Sequence, residues 1–207
     1  MGGVDKISDA QVKEINPKGK IVWAWYAKDH FYKSPYEEIR NQGWTHTNGA
    51  MRLPNGNTLI SPRNFNFVVE VDPQGSVVRT LGQGLLFKQH DPSILPNGNL
   101  LAGSHRPPPA FASSIKSYAA VEIDLRTAEI VWKFEWPKWP RLGARNVKRL
   151  PNGNTLVQGG VRIVEVTPAG EIVWQLRLRE EIEKEVLSTI RSYQFRSFYK
   201  AERIAPH

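Results

Sequence analysis

The sequence predicts an all-β protein made of β-propeller blades, each a sheet of four antiparallel strands, with a helix near the C-terminus. Three observations carry that expectation. The pentapeptide Leu-Pro-Asn-Gly-Asn recurs at 53–57, 95–99 and 150–154, each time between two apolar runs. Proline presets φ and Asn-Gly supplies positive φ, which folds the flanking runs into a hairpin. After each hairpin come a third strand, a turn and a fourth strand, at 68–78, 119–132 and 163–174. The units repeat at blade spacing: Pro54, Pro96 and Pro151 lie 42 and 55 residues apart, close to the ~40–45 residues of a four-stranded blade. An insertion rich in Pro and Ser at 106–117 explains the longer step.

Taken in order, residues 1–14 read as an N-terminal tail, 15–178 as propeller blades and 179–207 as a C-terminal helix and tail. The stretch from Asn16 to Trp25 matches the turn and fourth strand of the later units, so the chain opens inside a blade. Residues 28–43, broken by Pro35 and Gly43, connect it to the first whole blade, about 44–81. The second whole blade runs from about 89 to 135 and the third from about 145 to 176. That makes about three whole blades plus a partial one. The Pro-aromatic stretch 136–141 packs between blades. Trp23, Trp132 and Trp174 fall at one place on the fourth strands, where a flat side chain covers the groove between blades. Beyond 178, Ile182, Val186, Leu187, Ile190 and Tyr193 recur at helical spacing, with Glu180, Glu181 and Glu183 at the positive end of the helix dipole. The stretch 198–204 reads as a short strand.

Composition narrows the function. There is no Cys, which excludes disulfides and thiolate metal sites. No apolar run suggests a signal peptide or a membrane span. The net charge of +8 favours anionic partners. The Lys and Arg are dispersed, with no five-residue basic run, which argues against nucleic acid.

Hairpin geometry sorts the polar residues. In each unit the turn closes one end, so the start of the first strand and the end of the second meet at the other. Those positions hold His46, Asn48 and Arg63 in the first blade, His90 and His105 in the second, and Arg145, Asn146 and Gln158 in the third. First strands line the channel of a propeller, so these groups face one mouth. Histidines and a planar guanidinium suit an oxyanion, with His as nucleophile or proton carrier. Three histidines, His46, His90 and His105, also have the donor set for zinc in a hydrolase.

The motifs Trp44–Asn48 (WTHTN), Ser61–Asn64 (SPRN), Gln89–Asp91 (QHD), the LPNGNTL repeats and the closing FYKAERI resemble the arylsulfotransferase-like propeller proteins, particularly archaeal-type members. The resemblance implies a six-bladed ring, of which this chain is the C-terminal part. It implies transfer of a sulfuryl group from a phenolic sulfate ester to a phenolic acceptor through a sulfohistidine, with no cofactor and no nucleotide sulfate donor. By motif, His90 matches the histidine that carries the sulfuryl group, His46 and Asn48 the HxN pair, and Arg63 the arginine that holds sulfate oxygens; Arg145 and His105 join as substrate-binding groups. Family members are often exported or membrane-attached. A second class fits the same motifs: a non-catalytic propeller module that binds a ligand or partner. In either class, blades with bare sides favour self-association or a partner chain that completes the ring.

Overall fold

The computed structural model describes residues 11–31, 44–111, 114–136, 144–182, 184, 198 and 201–203. It contains three four-stranded antiparallel sheets and one two-stranded sheet. The first whole blade is β3 (Thr47–Arg52), β4 (Thr58–Pro62), β5 (Val68–Val71) and β6 (Val77–Leu81). The second is β7 (His90–Ile94), β8 (Leu100–Ser104), β9 (Ala119–Asp124) and β10 (Glu129–Glu135). The third is β11 (Asn146–Arg149), β12 (Thr155–Gln158), β13 (Arg162–Val166) and β14 (Ile172–Arg177). Each strand pairs with its sequence neighbour, so every blade is an up-and-down meander. This is the propeller architecture the repeats predict.

Ahead of them stands a half-blade, β1 (Gln11–Ile15) paired with β2 (Ile21–Tyr26). The sequence reading put residues 11–14 in a tail. Val12, Lys13 and Glu14 instead pair with Trp25, Ala24 and Trp23, because the Asn16–Gly19 turn returns β2 alongside them.

The core lies between blades. Leu59, Val68 and Leu81 of the first blade pack on Leu100, Ala102, Val121 and Ile123 of the second. Leu101 and Ala120 face the other way, onto Val147, Val157 and Val164 of the third. Ile60, Val69 and Val71 pack on Trp25 and Ala27 of the half-blade. Middle strands are therefore apolar on both faces, and β4, β5 and β8 are buried at every residue. Burial contributes ~1.5–3 kcal/mol for each fully buried Leu, Ile or Val side chain, so these seams hold the blades to one another.

A polar contact repeats inside each blade. Both Asn of the turn donate to one carboxylate oxygen of the third strand: Asn55 and Asn57 to Glu70, Asn97 and Asn99 to Glu122, Asn152 and Asn154 to Glu165. The other oxygen takes an arginine. Arg149, on the inner strand of the third blade, donates to Glu122 of the second at 2.6 Å and lies over Trp132. Likewise Arg52 pairs with Glu14 and lies over Trp23. The indole nitrogens of Trp23 and Trp132 donate to Pro73 O and Pro168 O in the next blade's outer turn. Trp23 and Trp132 thus lie between blades, where the sequence places them, while Trp174 of the third blade is exposed.

Within the expected strand at 198–204, the described residues 198 and 201–203 are irregular. They still follow an inner-strand path beside the third blade. Ala201 N–H donates to Asn146 Oδ1 as Val147 N–H donates to Asp91 Oδ2. Arg203 bonds Glu165 and lies over Trp174, as Arg149 does with Glu122 and Trp132. Residues 180–182 and 184 are helical, with Lys184 paired to Glu180 at 2.8 Å. The rest of the expected helix, the connection through 32–43 and the Pro-aromatic stretch 137–141 lie outside the described residues. No helix among the described residues is long and apolar enough to cross a membrane.

Candidate functional site

The site begins with one repeated position. Asn48, His90 and Arg145 each stand six residues before the Pro of their own turn, Pro54, Pro96 and Pro151. In the first two blades the ladder is irregular there, between Thr47 and Ala50 and between His90 and Ser93. An extra residue at such a point bends the strand and re-aims a side chain. His46 (φ 48°), Lys88 (φ 46°) and Asp91 (φ 48°) all adopt positive φ around it, a backbone that residues with Cβ hold only when their surroundings fix it.

Those surroundings are mostly Gln89. Its buried side-chain amide donates to Phe67 O at 2.6 Å, Ser61 Oγ at 3.2 Å and Pro62 O at 3.3 Å. It pins the start of β7 to the far ends of β4 and β5 in the preceding blade. Asn48 then donates to Gln89 O at 2.9 Å and to His90 Nδ1 at 3.0 Å. Because the amide NH2 of Asn48 must face the Gln89 carbonyl, Nδ1 of His90 is an acceptor and the ring proton sits on Nε2. That nitrogen meets Nε2 of His105 at 3.2 Å, with the two rings stacked 11° from parallel. Tyr118 closes the far side of His105 edge-on, at 5.0 Å between centroids.

Burial pushes His90 down to about 3, and Arg63, Arg145 and His46 add to the shift through their charge. Burial likewise pushes His105 down to about 2, with His90, Arg63, Arg145 and Lys88 contributing. Lys88 is itself lowered, by burial and by Arg63. Both imidazoles are therefore uncharged at neutral pH inside a ring of positive groups. Such a ring welcomes an anion, whose charge offsets the mutual repulsion of the cations.

The sequence-derived set is thus brought together: Asn48 and His105 touch His90, while Arg63, Arg145 and His46 act on it electrostatically. Asp91 is a tie between blades. Its Oδ2 accepts from Asn146 Nδ2 at 2.6 Å and from Val147 N–H at 3.1 Å, with Lys148 at 3.6 Å. Arg63 donates to Asn64 at 3.1 Å, and Glu70 is bound by Arg79 at 2.6 Å. Among the described residues no three His, Asp or Glu side chains gather as a metal-holding set. His30 stacks on Trp25, with 5.1 Å between ring centroids. Sequence reasoning missed Lys88 and Tyr118. Lys88 carries a usable signal, since it immediately precedes the Gln-His-Asp motif.

No protein-family model matches the chain, and no curated protein matches it. Solved structures do. A protein of unknown function from Bacteroides caccae is similar over 82% of this chain and 60% of its own, with TM-score 0.58 and 17% identity. A catalytically inactive virginiamycin B lyase from Staphylococcus aureus, solved with quinupristin, is similar over 81% of this chain and 48% of its own, with TM-score 0.51 and 15% identity. The chain thus spans about half to three-fifths of the length of these structures. At such identities the likeness shows the fold alone, and the fold is a propeller's.

Proposed function

We propose that the mouth at His90 holds the oxyanion end of an aryl sulfate and passes its sulfuryl group to a phenol, with His90 as nucleophile. The observation that carries this reading is a neutral, buried imidazole on which Arg63 and Arg145 act through their charge. An uncharged ring keeps a lone pair at neutral pH, and the surrounding cations favour charge on the sulfuryl oxygens. The motif order from Trp44 to Asp91 supports it as well. In the first half-reaction an N–S bond forms at His90 while the S–O bond to the aryl group breaks, and the phenolate takes a proton from water. In the second, the acceptor phenol gives its proton to the hydroxide left by the first, its oxygen attacks sulfur and the N–S bond breaks with its electron pair returning to His90. Attack through Nε2 requires the ring proton to move from Nε2 to Nδ1, so the Asn48 amide gives up its bond to the Gln89 carbonyl and turns its Oδ1 to the ring, and His105 swings aside.

A second reading rests on a specific observation. Both ring nitrogens of His90 are already engaged, by Asn48 and by His105, as in a structural histidine of a binding module. Intact-protein mass after exposure to 4-nitrophenyl sulfate without acceptor separates the two. The transfer reading expects one added sulfuryl group, mapped to His90 and lost in His90→Ala. A folded protein that binds the ester but gains no mass overturns it in favour of the binding module.

A further inference from the structure

β1 is by position a third strand. Its counterparts β5, β9 and β13 lie inside their sheets, flanked by the second and fourth strands. Each carries a carboxylate at one place, and the side chains of Glu70, Glu122 and Glu165 are only 4%, 9% and 5% exposed. Glu14 holds the same place: it pairs across the ladder with Trp23, as Glu122 does with Trp132 and Glu165 with Trp174. Its arginine is present, since Arg52 binds it as Arg149 binds Glu122. The asparagine side is different. Among the described residues no Asn donates to Glu14, its side chain is 53% exposed, and β1 pairs only with β2. The next residue makes the same point: Ile15 is 60% exposed, whereas its counterparts Val71, Ile123 and Val166 are buried.

We propose that the edge of β1, with Glu14 and Ile15, is a docking surface for a β-hairpin of a partner polypeptide that carries an Asn-Gly-Asn turn. The hairpin adds as the first two strands of the half-blade. Its two Asn amides donate to the Glu14 oxygen that Arg52 does not use, and an apolar side chain of its second strand covers Ile15. The chemistry of the occupant follows from the three copies of this contact in the whole blades. Main-chain pairing to an open edge supplies affinity, and the Asn pair supplies register.

The test uses the full chain and a peptide with the sequence of residues 47–62, head-to-tail cyclised so that its hairpin is preformed. Fluorescence anisotropy is expected to show saturable binding, and amide exchange on β1 is expected to slow in the complex. Hydrogen bonds to a charged group contribute about 1.5–3 kcal/mol. Glu14→Ala in the protein, or replacement of both turn asparagines by Ala in the peptide, therefore weakens binding roughly tenfold or more. Combining the two changes adds little beyond either alone. Absence of binding, or binding indifferent to both changes, overturns the proposal. Protection of β1 without peptide also overturns it: if independent of concentration, the chain's own residues fill the edge, and if rising with concentration, a second copy does.

Discussion

His90 and His105 share a fate set by where they lie. A histidine whose folded pKa is depressed binds fewer protons folded than unfolded once the pH falls below the ordinary value near 6.5. The stability of the folded state is then full above that value and declines as pH falls toward about 3 for His90 and about 2 for His105. Between pH 6.5 and 5, where carboxylates contribute little, the urea midpoint of the protein is expected to drop. The double variant His90→Asn with His105→Asn is expected to lose most of that slope. In NMR titration, Arg63→Met raises the pKa of His90 only in part, because burial is the larger cause. Convergence of these residues was legible, since hairpin turns dictate which strand ends meet. The tautomer was not, because it depends on the Gln89 carbonyl that orients Asn48, a main-chain atom no motif reveals.

Strands and turns were the clearest part of the chain to read, and the misses have local causes. The LPNGN turns predict three hairpins because Pro presets φ and Gly enters positive φ without strain, whatever the context. β1 escaped notice because Val-Lys-Glu-Ile is too short to show alternation. Residues 201–203 follow the third blade through Ala201 N–H on Asn146 Oδ1 and Arg203 on Glu165, contacts that no local pattern of the C-terminal stretch reveals. One element shows how tightly blades approach. A Cβ on Gly103, which pairs with His90 in the β7–β8 ladder, meets Ala144 O at 2.0 Å. Gly103→Ala is therefore expected to part the second and third blades and to destabilise by about 1–3 kcal/mol, as overpacking does, read from denaturant midpoints. The seam between the first and second blades differs from the others. Arg79 stands where they have Trp, and Ile94 where they have Arg, so Glu70 takes its guanidinium from its own blade. Arg79→Trp alone removes that cation from a buried carboxylate and destabilises. Adding Ile94→Arg is expected to restore stability, with a coupling of about 1 kcal/mol in a double-mutant cycle.

For the whole molecule, the two ends of the row of blades matter most. β2 and β14 carry exposed apolar side chains, among them Ile21, Val22, Ile172, Val173 and Leu176. These apolar side chains favour association. Light scattering across a concentration series is expected to show mass growing with concentration, and a strictly constant monomer contradicts it. Nearest-neighbour contacts between blades also imply uneven protection. Amide exchange is expected to be slowest in β4, β5, β8 and β9, which have a blade on either side, and fastest in the half-blade.

The irregular seam has a consequence for ancestry. Three of the four seams use one interchangeable contact, the kind that gene duplication can extend by copying a unit. The seam at Arg79 and Ile94 breaks that freedom. A unit with an inner-strand arginine inserted after the first blade brings two guanidinium groups to Glu70, and the second blade moved behind the third leaves Trp174 facing isoleucine. Shuffling is barred at this one joint, so the unit bearing His90 is kept next to the unit bearing Asn48 and Arg63.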